Sequence, residues 1–432
     1  MFSNPFSRGI RRSNDNVDEK EIEDDTAWTQ VLMGHLLIFN TWGYINSFSI
    51  FQEYYTTQLQ QSPSAISWVG SLQIFLTLFL GTFAGIALDS GLYRVVLFVG
   101  PLLQLIGIFL TSISTKYWHL LVLQGIVQGL GDGLIFGPTI TNISTYFSKK
   151  RSLAMAIVAT GTATGGIVFP IIAQQLLPRI GFPWTIRVLG FVVLFNASIA
   201  QFFARERNMR KVSGPLFDLK SFRDVKYSMF SAGIFMIFCS LYVGFFYIGT
   251  FARDAVHLSV STSRTIVIII NAVGVPGRII PAILADGYIG PVKTLLPFVF
   301  MGSIVLYSWI AVTSLGGLLP FIVLYGIAGA AVQGLFPSAL ASLTDDPKQK
   351  GVRMGMVLSI AGLGSLAGPP IAGALITTDG GGFLYAQIFS GTMMMGGAMI
   401  LSLDQLLAWK MNRQSAPTDV SNHPIPSIRD VC

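Results

Sequence analysis

The chain has 432 residues, 52% of them hydrophobic and only 11% charged, with a mean hydropathy of +0.62. Soluble domains carry about 25% charged residues, so this composition excludes an ordinary soluble protein and indicates an integral membrane protein. The net charge of +7 lies in short segments between apolar runs rather than on one basic-aromatic face, and the two cysteines, Cys239 and Cys432, give neither a disulfide framework nor metal-ligand spacing.

Residues 1–26 are polar, with Arg8, Arg11 and Arg12 ahead of an acidic run from Asp18 to Asp25. No apolar run follows the basic patch directly, as a signal peptide requires, so a disordered cytosolic tail is expected. Twelve apolar segments come next, at 29–50, 66–88, 94–114, 119–143, 153–177, 184–204, 228–250, 264–285, 293–313, 318–342, 354–377 and 384–409. Each is long enough to cross a hydrocarbon layer of roughly 30 Å as a helix, which predicts an all-α membrane protein with twelve transmembrane helices. Counting Lys and Arg in alternate connections puts 22 on one side and four (Lys116, Arg179, Arg253 and Arg264) on the other. That excess assigns both termini to the cytosol. The expected order is a tail (1–26), a six-helix bundle (27–204), a cytosolic linker with Gly214 and Pro215 (205–227), a second six-helix bundle (228–409) and a tail (410–432).

In the first segment Asn40, Gly43, Tyr44 and Ser47 fall at i, i+3, i+4 and i+7, with Asn46 beside them. A polar stripe in an apolar helix faces either a cavity or another helix, and Asn40, Tyr44 and Asn46 are candidate substrate contacts. His35, a lone histidine near the start of this segment, reads as a packed residue. The fourth segment carries Asp132 in QGLGDGLIF, the one carboxylate near the middle of any apolar run. Gly161, Gly165 and Gly166 in the fifth segment, and Gly362, Gly364 and Gly368 in the eleventh, form small-residue ridges for close helix packing. Tyr242 and Phe246 in the seventh and Gln333 in the tenth are further candidate lining residues.

The eighth segment reads NAVGVPGRIIPAILAD from Asn271 to Asp286. Asn271, Gly274, Val275 and Arg278 share one helical face. Arg278 lies eight residues before Asp286, about 12 Å along a helix, well below the membrane surface. An arginine there costs at least ~2.5–3.5 kcal/mol to insert, so it faces a partner or a watery cavity. Arg278 is read as the hook for an organic anion, with Asn271 one face-mate, and with Asp132 of the other half as its coupling or gating partner when the cavity is empty.

The two halves also repeat. Asp89 and Asp286 stand 197 residues apart, and Pro138 with Pro337, and Pro170 with Pro369, each 199 apart. Copies separated by an even number of spans have the same topology, which predicts two parallel six-helix repeats with the site between them.

Five stretches together, GIALDSGLYR with Asp89 and Arg94, WGYINSFSIFQEYY, YFSKKRSLAMAI, RMGMVLSIAGLGSLAGPPIAGAL and AQIFSG, resemble the major facilitator superfamily and, within it, the monocarboxylate porter family in its fungal form. The resemblance implies the major facilitator fold, alternating access, a substrate arginine at Arg278 and a cytosolic loop motif at Asp89, Arg94 and Asp286. It also exposes two departures. The animal members carry an acid one turn before that arginine and a lysine in the first span, both tied to proton coupling, whereas Gly274 and Asn46 stand here.

The expected activity is secondary or facilitative transport of a small monocarboxylate-like anion. An alternative is efflux of an acidic secondary metabolite, as fungal relatives of the resembled family do. A transport-dead sensor would need a signalling module, and neither tail carries one. No G-x-x-x-x-G-K-[ST] loop, nucleophile elbow or metal-ligand spacing among the four histidines is present, so no enzyme, cofactor or metal is expected. The expected partners are a small organic acid, protons and the lipid bilayer, without nucleic acid, for a monomer in the plasma membrane.

Overall fold

The computed structural model describes residues 25–83, 91–147, 151–206, 218–343 and 347–414. The two tails, most of the linker and the connection holding Asp89 lie outside the described residues. Those described are helical, with no strand among them.

The first helical run comprises α1 (Asp25–Ile38), a π-helical turn (Phe39–Gly43), α2 (Tyr44–Asn46) and α3 (Phe48–Leu59), and it ends where Gln60 turns left-handed at φ 51°. Ser62 then caps α4 (Pro63–Gly81), its hydroxyl accepting from the Ala65 amide at 3.2 Å. Proline at the first helical position suits that start, because its missing N–H would have no helical partner there. α5 (Tyr93–Thr111), α6 (Tyr117–Ser144), α7 (Arg151–Ala159) and α8 (Gly161–Phe203) complete the chain up to the linker. After it come α9 (Val225–Asp254), α10 (Val260–Ala272), α11 (Gly274–Leu284), α12 (Pro291–Ser308), α13 (Leu315–Ala341), α14 (Pro347–Thr378) and α15 (Leu384–Gln414). Asp224, Ser259 and Ser314 cap α9, α10 and α13, so these helices start on a side-chain acceptor that satisfies an otherwise free amide.

Among the described residues, ten helical segments are long and apolar enough to cross a membrane. The difference from twelve arises at two places. The π-turn and the loosened Ser47 divide residues 25–59 into pieces too short to qualify. The stretch Leu153–Phe203 counts once, although its 51 residues would extend about 75 Å as one helix, more than twice the hydrocarbon thickness. Gly181, at φ 73° and ψ 174°, breaks it in a conformation that glycine adopts readily.

Glycines set the closest approaches. A Cβ on Gly165 would strike the Phe39 carbonyl and the backbone of Gly43, which seats α8 on the π-turn. A Cβ on Gly368 would strike the Cys239 carbonyl, and one on Gly364 the Phe235 carbonyl, which seats α14 on α9. The parts before and after the linker meet along their length. Near the 59–63 turn, Tyr247 donates to the Pro63 carbonyl at 3.2 Å and Ser64 to the Pro370 carbonyl at 2.9 Å. At the opposite end Thr82 donates to the Gly355 carbonyl at 2.8 Å and lies 2.8 Å from the Ser359 hydroxyl. The groups midway between these contacts are buried.

Because no side chain fits between α14 and α9 at Gly368, Gly368→Leu is expected to destabilise the fold by at least the ~1–3 kcal/mol of core overpacking. Thermal unfolding followed by size-exclusion chromatography in detergent checks this, with Gly287→Ala, where a Cβ meets nothing, expected to behave as the parent.

Candidate functional site between the two halves

Arg278 sits on α11 just after the helix break at Val273 and is only 4% exposed. Gly277 lies against the backbone of Ile327, and Gly326 against Val273 and the Ile270 carbonyl, so α10 and α11 press onto α13 and bring Gln333 opposite the arginine. Nη2 donates to Gln333 Oε1 at 2.9 Å, and Nη1 folds back to the Gly274 carbonyl at 3.1 Å. A Cβ on residue 274 would come within 2.7 Å of Nη1, so the glycine where the resembled family's animal members hold an acid makes room for the guanidinium. Among the described residues no carboxylate reaches ion-pair distance of Arg278.

Tyr242 of α9 lies within electrostatic reach of Arg278 and stacks on Trp42 of the first half, with ring centroids 6.3 Å apart and planes at 15°. Phe136 packs edge-on to Trp42 at 5.4 Å, and Phe238 joins Tyr242 to Phe336. Aromatic rings from both halves therefore wall the region beside the arginine. Trp42 Nε1, the Tyr242 hydroxyl and Gln333 Nε2 are buried without a hydrogen-bond partner. All three can donate, so together with Arg278 the set is suited to an oxygen-rich acidic ligand.

The candidates from the sequence divide into two groups. Asn46 and Asn271 meet across the halves, Nδ2 of the first donating to Oδ1 of the second at 3.1 Å, in a gap left by Gly166. Asn40 and Tyr44 do not join them. Asn40 donates to the Val193 carbonyl at 3.0 Å and accepts from Asn196 at 3.0 Å, entirely within the first half. Tyr44 faces Gln128 and Asp132 of α6. The π-turn is the physical reason, since it rotates the face of the helix so that an ideal 3.6-residue stripe no longer describes it. The expected Asp132 to Arg278 pair is not formed. Both Asp132 oxygens are taken, by Gln73 Nε2 at 2.8 Å and Gln104 Nε2 at 2.7 Å. His35 is packed as expected, with its ring nitrogens 3.0 Å from the Ile157 carbonyl and 3.0 Å from the Thr164 hydroxyl. Of the loop motif, Arg94 and Asp286 are exposed, and Asp89 is outside the described residues.

One functional contact escaped the sequence reading. Glu53 on α3 accepts from Arg253 of α9 at 2.9 Å, with Arg264 of α10 at 3.9 Å, an ion-pair cluster joining the halves near the 59–63 turn. It borders a cavity of about 120 Å³ lined by Gln52, Thr56, Tyr247 and Thr250. The available signal was a carboxylate closing the first apolar segment and an arginine closing the seventh, but their pairing needs the packing of α3 on α9, held by Phe48 and Phe246 at 4.8 Å.

Residues 32–346 match the Major Facilitator Superfamily, and the chain belongs to it. Its relatives are fungal. It is 42% identical over 388 residues to an MFS-type transporter of Gibberella zeae, covering 89% of this chain and 87% of that one. It is 33% identical over 377 residues to the aspyridones efflux protein apdF of Emericella nidulans (87% and 76% covered), and 30% identical over 380 residues to the agnestins efflux protein AgnL12 of Paecilomyces divaricatus (87% of each). A bacterial homolog of the human lysosomal transporter Spinster, solved inward-facing and unoccupied, shares the fold with a TM-score of 0.62 at 15% identity, covering 90% of this chain and 98% of that one. The chain is therefore an all-helical, multi-pass membrane transporter of small molecules.

If the Glu53 cluster holds the halves together at this end, Glu53→Gln is expected to open it. Such a pair, at 10% and 27% exposure, contributes roughly 1 kcal/mol, so the open fraction should rise about fivefold. Labelling of a cysteine at Thr250, in a background with Cys239→Ser and Cys432→Ser, by a membrane-impermeant maleimide reads that fraction; an unchanged labelling rate argues against a latch.

Proposed function

We propose that the protein exports an acidic secondary metabolite from the cell that makes it, by alternating access between two six-helix bundles, with Arg278 binding the acidic group. The observation that carries the reading is the buried Arg278 guanidinium, held only by the neutral Gln333 side chain and the Gly274 carbonyl. A positive charge with no counterion of its own is a costly arrangement that an anionic ligand relieves. The aromatic walls contributed by Trp42, Tyr242, Phe238 and Phe336 suit a ligand larger and flatter than a short-chain monocarboxylate. Relatives named as efflux proteins support the outward direction, so metabolite export takes precedence over the small-anion transport, of open direction, expected first.

The matched seats of α8 on the first helical run and of α14 on α9, made by Gly165 and Gly364, 199 residues apart, support the six-plus-six reading and the twelve crossings. In that topology the Glu53 cluster lies on the outer face and Thr82 on the cytosolic face, with both termini in the cytosol. Asn46 and Asn271 line the cavity between the bundles and separate when it opens. The resemblance to the fungal monocarboxylate porters fits the same arrangement, with Gly274 replacing the acid that would otherwise neutralise the hook.

Export is tested in yeast vesicles loaded with a panel of aromatic carboxylic acids. At least one acid is expected to leave faster with the parent protein than with Arg278→Ala, by tenfold or more, since losing a charged hydrogen bond costs about 1.5–3 kcal/mol. Gly274→Asp, which places a carboxylate against the guanidinium, should reduce export of the same acid. If neither variant alters any flux at equal expression, Arg278 is structural and the acid reading fails.

A further inference from the structure

We infer that Asp132 is an exchangeable proton site, separate from the Arg278 site and confined to the first half of the molecule. The site rests on the transporter reading for its purpose, as the ion that drives export, but not for its chemistry.

Three polar side chains, Gln124, Gln128 and Asp132, recur every four residues on α6, whose part Leu121–Gln128 is π-helical, and all are at most 1% exposed. Each meets a polar group from a neighbouring helix. Gln124 accepts from the Tyr55 hydroxyl at 2.9 Å, Gln128 donates to Thr111 at 3.4 Å and lies beside Tyr44, and Asp132 accepts from Gln73 and Gln104. Gln104 also donates to the Asn40 carbonyl at 2.9 Å, and Asn40 to α8. The result is a ladder of amides and hydroxyls inside a helix bundle, ending on a carboxylate.

Asp132 is held only by neutral donors. The titratable group facing it is the Tyr44 hydroxyl. α4 carries no charged residue, the one charge on α5 is Arg94 at its exposed start, and His35 of α1 is turned to Ile157 and Thr164. A buried carboxylate without a counter-cation is stable as an anion only through its hydrogen bonds, and a proton removes the charge outright. The protonated form needs an acceptor for its new O–H. Gln73 Oε1 is buried and unpartnered, and a half-turn of that amide presents the oxygen to Asp132 while Gln104, held by the Asn40 carbonyl, keeps donating. One cluster thus satisfies both protonation states. The unpartnered Gln128 Oε1 and the Tyr44 hydroxyl stand next along the ladder, towards Tyr55 and the 59–63 turn, and supply sites through which a proton can pass.

Infrared difference spectroscopy of the full-length protein in lipid vesicles, stepped between about pH 4 and about pH 9, tests the site without any transported substrate. The parent protein should gain a protonated-carboxyl signal on acidification that Asp132→Asn lacks. Gln104→Leu removes a donor to the ionised form, so the signal should persist with its midpoint raised by about one pH unit. Absence of the signal in the parent, its survival in Asp132→Asn, or an unmoved midpoint in Gln104→Leu each overturns the proposal, and the last applies even if Asp132→Asn does not fold. A midpoint that moves when sodium replaces choline would instead assign the site to sodium. Arg278→Ala should keep the signal while losing export, so failure of the anion hook and failure of the proton site are read separately.

Discussion

A buried arginine that no carboxylate among the described residues pairs with governs the interior of this transporter. Arg278 is carried into the middle of the fold on α11, where its insertion is costly, and the structure does not answer it with a carboxylate. It answers with glycines. Gly274 clears a place for the guanidinium, and Gly277 draws the two helices close enough for Gln333 to accept. The helix break at Val273 and the packing of α10 and α11 on α13 keep a charge in place without cancelling it. A group that must bind and release an anion needs that state, because a permanent internal counterion would compete with the ligand.

The opposite treatment is given to Asp132. It is equally buried, yet both of its oxygens are hydrogen-bonded, and the donors come from two further helices of its own half. The opposite charges that a sequence reading joins into a pair are therefore kept apart, each with neutral partners. Had they been paired, either charge would have been fixed by the other, and the halves would have been tied together at their centre. The halves are tied instead by a neutral amide pair, Asn46 with Asn271, at the centre, by Glu53 with Arg253 and Arg264 at one end, and by Thr82 with Gly355 and Ser359 at the other.

The apolar segments and the lone central arginine were legible in the sequence because hydropathy and charge are read one residue at a time. The same holds for the glycine ridges, of which Gly161, Gly165, Gly364 and Gly368 lie against helix backbone, as small residues at four-residue spacing suggest. What was not legible depended on rotation and pairing. A π-turn at Phe39–Gly43 moves Asn40 away from the face that an ideal helix assigns it, and nothing in FNTWG announces that turn. Gln124, Gln128 and Asp132 recur at four-residue spacing in the sequence, but amides in apolar segments invite less attention than charges do. Their significance lies in Gln73, Gln104 and Tyr55, which only packing brings alongside. Glu53 likewise sat in a stretch read for resemblance, with its arginine partners counted for orientation alone.

The segment from Asn40 to Asn46 now acquires a role that neither polar centre shows in isolation. Asn40 and Tyr44 face the amide ladder that ends on Asp132, whereas Trp42 and Asn46, on the same short stretch, face Tyr242 and Asn271 of the other half. It is the one described stretch that touches both centres, and it begins in a π-turn and ends at Ser47, where ψ of −4° relaxes the helix. A regular helix would move as a rod and pass any displacement to its ends. Here a π-turn covers the start of the seven residues and Ser47 follows their end, so the stretch departs from a regular rod on both sides of Tyr44. Gly43 lies against the backbone of Gly165 and Gly166, so the stretch meets α8 backbone to backbone there. Tyr44 and Trp42, two residues apart, thus stand on opposite faces of one turn, the first towards Asp132 and the second towards the aromatic wall beside Arg278.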